Sequence, residues 1–236
     1  MERIDKIIAS QTNYSRKDVK KLISQKKVRV NDEIVKRPEQ KFDEQQDTIY
    51  IDENKLDMKK HIYLVLNKPQ GYISATEDRT AKTVLDLVPE EQYMRKGLFP
   101  AGRLDKDTTG MMIITDDGEF AHNILAPRKH IEKTYRVQID IDITEQMKEK
   151  FKQGIVLKDH VCCPATIIVE DKNTALITIT EGKYHQIKRM FGCFGAKVVR
   201  LHRISMGGLQ LPSDLEEGQC RELTKEELEK VCIRYK

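Results

Sequence analysis

The chain has no tryptophan, no Cys-x-x-C pair and no apolar run that approaches a membrane span, and each absence narrows what it can do. A bilayer-crossing helix needs about 20 consecutive apolar residues. The chain is therefore expected to be soluble, in keeping with a charged fraction of 34% and a mean hydropathy of −0.60. The amino terminus, Met1-Glu2-Arg3-Ile4-Asp5, carries no apolar signal core, which points to the cytoplasm. Cys162, Cys163, Cys193, Cys220 and Cys232 are odd in number and lack the spacing of a zinc site. They read as reduced, packing thiols, and no metal is expected. With no repeat or low-complexity segment, order is expected everywhere except a linker and the ends.

What is present is a chain of 236 residues, enough for one large domain and one small one. The formal net charge is only +4, but its distribution is uneven: residues 1–37 carry eleven Lys or Arg against five acids, and residues 182–203 carry six against none. Two basic clusters around a nearly neutral body suggest two contacts with a phosphate backbone.

Residues 1–57 read as a compact basic module. Ile4, Ile7 and Ile8 recur at helical spacing, and Ser15 with Asp18 announces a second helix through a capping box. Val19, Leu22 and Ile23 of that helix face one way and Arg16, Lys17, Lys20 and Lys21 the other, a pattern that fits a solvated face as well as an RNA contact. Val28-Arg29-Val30-Asn31 and Thr48-Ile49-Tyr50-Ile51 alternate like paired strands. Residues 53–60 are polar and fit a linker. His61 to Asn67 is a continuous apolar run closed by Lys68-Pro69, a strand buried on both faces. Thr83 to Pro89 reads as a short helix, Asp116 and Asp117 as turn and cap residues before a helix at 119–125, and Thr144 to Gln153 as another helix. Val161–Glu170 and Thr174–Thr180 bracket a hairpin turn. A helix at 184–194, a strand at 196–204 and a helix capped by Thr224 with Glu227 complete the chain.

The chain is organised around Ala101-Gly102-Arg103-Leu104-Asp105-Lys106-Asp107-Thr108-Thr109-Gly110, followed by Met111-Met112-Ile113-Ile114-Thr115. The second part is a short buried strand and the first an ordered loop entering it. A carboxylate where such a loop meets a core is a candidate for chemistry, against the plainer reading of a solvated turn.

The Gly-Arg-Leu-Asp string with Thr and Gly downstream resembles the catalytic motif of pseudouridine synthases of the small-subunit ribosomal RNA type, and the order of motifs in the first 57 residues resembles the S-four-like RNA-binding domain. In that second family, glycines are common where Lys26 and Asp32 stand here, which makes the turn geometry the point to examine. The joint resemblance implies an α+β fold: a small N-terminal α/β RNA-binding module at 1–57, then at 61–236 a mixed, mainly antiparallel sheet with flanking helices. It implies that Asp105 is the catalytic aspartate and that Arg103 helps hold it and the flipped nucleotide. Lys133-Thr134-Tyr135-Arg136-Val137 resembles the second motif, with Tyr135 packing on the base. Glu181 to Met190 resembles the third, with Ile187 lining the uracil pocket and Lys188 pairing with Asp105. Many related synthases have arginine at that place, and lysine can make only a point-charge contact. Arg3, Arg16, Lys17, Lys20, Lys21 and Arg189 are the expected RNA contacts, and ribosomal RNA, free or in an assembling particle, is the expected partner. His185 can be read as a general base or as part of a structural turn.

Converting uridine to pseudouridine breaks the bond from base N1 to ribose C1′ and joins C5 to C1′. Substrate and product are isomers, so one carboxylate suffices and no cofactor is expected. That carboxylate can act as nucleophile or as base. A large-subunit RNA synthase and a non-catalytic RNA-binding assembly factor on the same fold are the alternatives. A glycosidase-like pair of Asp105 and Asp107 is a third, although no sugar-stacking aromatics accompany it. No exposed heptad or apolar face demands a dimer, so a monomer is expected.

Overall fold

The computed structural model describes residues 1–44, 46–90, 93 and 95–233. They form two compact units, Met1–Ile62 with Val88–Leu98, and Tyr63–Leu87 with Phe99 onward.

In the first unit β1 (Glu2–Arg3) leads into α1 (Ile4–Gln11), followed by α2 (Arg16–Ser24), β2 (Val28–Val30), β3 (Glu33–Ile34), β4 (Lys41–Phe42), β5 (Ile49–Ile51) and β6 (Asn54–Lys55). The capping box is present: Ser15 Oγ accepts from the Asp18 amide and Asp18 accepts from the Ser15 amide. Ile4, Ile7, Ile8, Val19 and Ile23 pack with Val28, Val30 and Ile49 in one core, and β2 pairs antiparallel with β5. The turn expected at Asp32 is made one residue earlier. Asn31 takes the left-handed conformation, as does Lys26, and its side chain accepts from the Thr48 amide at 2.9 Å; asparagine tolerates that region better than most residues. The segment read as a linker is partly ordered structure. Asn54–Lys55 adds a strand to β5, and Leu56 and Met58 pack against the core, since backbone pairing needs no apolar pattern.

The second unit contains β7 (Tyr63–Lys68), β8 (Phe99–Ala101), β9 (Thr109–Thr115), α3 (Gly118–Leu125), β10 (Lys133–Ile139), α4 (Glu145–Gln153), β11 (Thr166–Asp171), β12 (Thr174–Ile179), α5 (Gln186–Gly192), β13 (Val198–Met206), β14 (Leu209–Gln210), β15 (Cys220–Glu222) and α6 (Lys225–Val231). Its sheet runs β11-β12-β10-β13-β9-β7-β15, with β14 on β13 and β8 on β9. Every strand pair among its described residues is antiparallel except β9 with β13, the mixed, mainly antiparallel sheet that was expected. Val65, Met111, Ile113 and Met206 of the sheet pack with Ala121 and Ile124 of α3 and Val231 of α6. Phe151 of α4 meets Phe191 of α5 with ring centroids 4.8 Å apart.

Several boundaries differ from the expected ones, among them the strand read at 196–204, which is Val198–Met206, and the helix read at 184–194, which ends at Gly192; three of the differences have local reasons. The short helix at 83–89 is a single 3-10 turn, Val84–Leu87. β11 begins at Thr166 rather than at 161, because Pro164 has no amide to donate and Val161 bridges back to Val156. α5 begins at Gln186 because His185 is left-handed, with φ +48°.

At the parallel crossing Gly110 lies opposite Arg203. Gly110 has φ +98°, and a Cβ there would stand 2.3 Å from the Arg203 carbonyl oxygen, so only glycine lets the strands approach. Gly110→Ala is expected to cost about 2 kcal/mol or more, read as a lower urea midpoint with unchanged slope; an unchanged midpoint would show that the crossing can relax.

Candidate active site

The loop between β8 and β9 carries Arg103, Asp105 and Asp107. It is held from beneath by Lys68, the last residue of β7, which is 0% exposed. The Lys68 ammonium donates to the carbonyls of Thr108 at 2.8 Å, Asp105 at 3.1 Å and Pro69 at 3.2 Å. Burial pushes its pKa down to about 8, against the opposing pull of Asp107 and Asp105. Ser74 clasps the same loop from the side: its hydroxyl accepts from the Leu104 amide at 2.9 Å and donates to the Leu104 carbonyl at 2.8 Å. A charged donor and a two-way hydroxyl fix the backbone on both sides of Asp105, leaving its carboxylate free to face outward.

The opposite wall comes from the turn before α5. The Gln186 side chain accepts from the Lys183 amide at 3.0 Å and donates to Glu181 at 2.7 Å, so the turn closes on itself and the helix starts at a fixed place. Ile187, Met190 and Phe191 are buried on one face of α5. That face turns Lys188 toward the loop, where its ammonium is 2.9 Å from Asp105 Oδ2 and 2.5 Å from Asp107 Oδ1. Burial works against the Lys188 charge, yet the hydrogen bonds to Asp107 and Asp105 prevail and hold its pKa above the ordinary lysine range. Asp107 is held below the usual carboxylate range: its own burial pushes the other way, but the Lys188 hydrogen bond and charge outweigh it. His185 Nε2 stands 3.4 Å from Asp105 Oδ1, and its ring stacks on Tyr184.

Arg103, Asp105, Tyr135 and Ile187 line one cleft together with Leu104, Ile179 and Leu201. Tyr135 and Ile187 are buried and Asp105 retains one quarter of its side-chain exposure. The arrangement is a carboxylate on the rim of an aromatic and aliphatic slot, which suits a flat, uncharged ring brought beside a nucleophile or base. The two-carboxylate reading fits poorly, because Asp105 and Asp107 converge on one ammonium instead of facing each other across a bond. No group of three or more potential metal ligands exists among the described residues.

The other expected residues stand elsewhere. Arg3 is clamped by two 3.0 Å bonds to the buried Asp5, which ties it into the first unit. Arg16, Lys17, Lys20 and Lys21 lie along α2, with Val19 and Ile23 turned into the core. Arg189 pairs with Asp159 and does not reach Asp105. Lys68, Ser74 and the approach of His185 to Asp105 are parts that sequence reasoning did not assign. A lysine at the end of a doubly buried strand was the signal that could have found Lys68; Ser74 and the left-handed His185 carry none in the sequence.

Comparisons with known proteins give the family of the two units. A family model described as RNA pseudouridylate synthase matches residues 62–192, and one described as S4 domain matches residues 2–49. Ribosomal small subunit pseudouridine synthase A of Escherichia coli (strain K12) is 41% identical over 233 residues, 97% of this chain and 99% of that protein. The RNA pseudouridine synthase YtzG of Bacillus subtilis (strain 168) is 40% identical over 231 residues, 96% of each. A crystal structure of a pseudouridylate synthase superposes with a TM-score of 0.69 at 38% identity, over 98% of this chain and 100% of that one.

Lys68→Met keeps the aliphatic stem and removes the donor shared by the loop carbonyls. A loss of about 2–3 kcal/mol is expected, with faster amide hydrogen exchange across residues 102–108 by mass spectrometry. Unchanged exchange there would remove Lys68 from its anchoring role.

Proposed function

The chain belongs to the RNA pseudouridylate synthase family, and from that premise we propose that it isomerises a uridine of small-subunit ribosomal RNA to pseudouridine, with Asp105 as the catalytic group. The observation that carries this reading is the 2.9 Å pair of Asp105 with Lys188 at the mouth of the cleft lined by Tyr135 and Ile187. The choice of small-subunit RNA rests on the Lys183-Tyr184-His185-Gln186-Ile187-Lys188-Arg189-Met190 form and on the likeness to the E. coli small subunit enzyme over nearly the whole chain.

In this reading the target nucleotide leaves its stack and enters the slot. Tyr135 packs on one face of the uracil, Ile187 supplies apolar wall, and Arg103 at the rim steadies the nucleotide. Asp105 acts at the ribose as the N1–C1′ bond breaks. The base turns, C5 bonds to C1′, and the proton displaced from C5 passes to solvent while N1 gains one. Whether Asp105 attacks C1′ or takes a proton, it acts with the Lys188 ammonium 2.9 Å away. An RNA-coating protein would gain nothing from a carboxylate at this place, since an acid repels phosphate. Residues 1–57 dock the RNA through Arg16, Lys17, Lys20 and Lys21, with Arg3 beside them and Arg189 contributing from α5. Residues 61–236 carry the chemistry. The same reading keeps the chain a cytoplasmic monomer acting on ribosomal RNA, free or in an assembling particle.

Asp105→Asn should fold and bind RNA like the parent and lose isomerisation. The assay is tritium release from small-subunit ribosomal RNA transcript labelled at uridine C5; release at the parent rate would eliminate Asp105 as the catalytic group. Lys20→Ala with Lys21→Ala should weaken RNA binding and flatten its salt dependence by about 0.7–0.9 in log–log slope for each phosphate that α2 no longer neutralises. An unchanged slope would mean that α2 does not touch the RNA backbone.

A further inference from the structure

A second cleft of about 510 Å³ adjoins the first and shares walls with it at Arg103, Tyr135 and Lys183. Its lining also includes Lys133, Arg203 and Glu181. Two of these cations are core residues: Arg203 is 2% exposed and Lys133 6%. Neither forms an ion pair among the described residues. Arg203 Nε donates to the Met111 carbonyl at 2.6 Å, and its buried Nη2 has no acceptor among the described residues. The Lys133 ammonium donates to the Ile131 carbonyl at 2.8 Å. The one acid on the wall, Glu181, is engaged by the Cys163 amide and the Gln186 side chain.

Burying a cation without an anion is costly, and an unsatisfied guanidinium nitrogen adds to the cost. Two such groups on adjacent strands also repel each other. Burial, with Arg203 adding to it, pushes Lys133 down to about 8. An arrangement of this kind is favourable once an anion enters, because two buried cations and the two more exposed ones at Arg103 and Lys183 then share a single counter-charge. The anion must also suit a cleft that opens onto the slot for the target base.

We infer that this second cleft is a subsite for one phosphodiester of the RNA strand next to the target uridine, held by Arg203 and Lys133 from within and by Arg103 and Lys183 from the rim. The assignment rests on the proposed uridine isomerisation for the identity of the strand, but the anion site itself does not. A phosphate seated there lies against Arg103, Tyr135 and Lys183, which also wall the slot for the target base. It therefore fixes the backbone at the point where the extruded nucleotide leaves the strand, and it binds without taking part in bond making.

The test uses the full chain and two probes, inorganic phosphate at constant ionic strength and the C5-tritiated transcript. In the parent, phosphate should shift the amide NMR signals of Tyr135, Gly182 and Lys183, and Lys133→Met should abolish those shifts. With transcript, Lys133→Met should raise KM about tenfold, the loss expected for one charge-assisted phosphate contact, with kcat within about twofold of the parent. Arg203→Met should do the same if it folds, and Lys133→Met alone decides if it does not. Phosphate shifts confined to the α2 lysines, or an unchanged KM in Lys133→Met, would overturn the subsite and leave the two cations as scaffold. Asp105→Asn separates the two readings: it should keep the phosphate shifts, and turnover by it would sink the uridine chemistry while leaving the anion site standing.

Discussion

The second unit depends on the close parallel approach of β9 and β13. Residues 105 and 188 are far apart in the chain, and they meet because Gly110, five residues after the aspartate, lies against the Arg203 backbone in the register His202 with Thr109 and Arg203 with Gly110. A side chain at position 110 would occupy the space of the Arg203 peptide. β9 is buried from Gly110 to Thr115, so the loop ahead of it emerges from a rigid base. Arg203 extends the same contact by donating from Nε to the Met111 carbonyl at 2.6 Å. One crossing therefore sets where the carboxylate stands and where the buried guanidinium stands relative to it.

Charge in this unit is arranged around that crossing. Lys68 lies beneath the loop, Arg203 beside the strand and Lys133 on the next strand over, all of them buried. Lys188 approaches from α5 and joins Asp105 and Asp107. The Lys68 charge is favoured by both aspartates and disfavoured by Arg203 and Lys188, so these groups act on one another across the loop. Buried cations that hold backbone carbonyls position the loop without occupying the carboxylate oxygens. The loop is thus held from beneath by its own main chain while Asp105 keeps its side chain for the cleft.

Much of this was legible in the sequence, for identifiable reasons. The strand at 63–68 shows as a continuous apolar run, α2 as a capping box followed by an apolar stripe, and the importance of the Asp105 loop as a polar stretch breaking into a buried strand. Asn54–Lys55 was hidden because its side chains are polar and its order comes from backbone pairing with β5. Val88–Leu98 groups with the first unit, a tertiary preference that no local pattern carries. His185 reads as a helix residue until its positive φ is seen. Lys68, Lys133 and Arg203 were missed as interior residues because a lysine or arginine is ordinarily a surface residue; only their place on alternating or doubly buried strands distinguishes them. Lys133, Val137 and Ile139 fall on the buried side of β10 with Tyr135, so the strand period already put the lysine inside.

An enzyme acting on RNA with a carboxylate must attract a polyanion to a negative group. Placing cations directly on that group would attract the strand but engage the oxygens that the chemistry needs. Here Lys188 reaches Asp105 Oδ2 and divides its contact with Asp107 Oδ1, so its charge is shared between two carboxylates instead of being spent on one. Lys133 and Arg203 line a second cleft that shares Tyr135 with the one beside Asp105, and neither forms an ion pair among the described residues. The buried Tyr135 is common to both walls, and the acid and the two interior cations are placed in separate clefts instead of meeting as an ion pair. In the proposed reading the same ring is the face on which the base stacks, so one aromatic side chain serves the slot and the second cleft together.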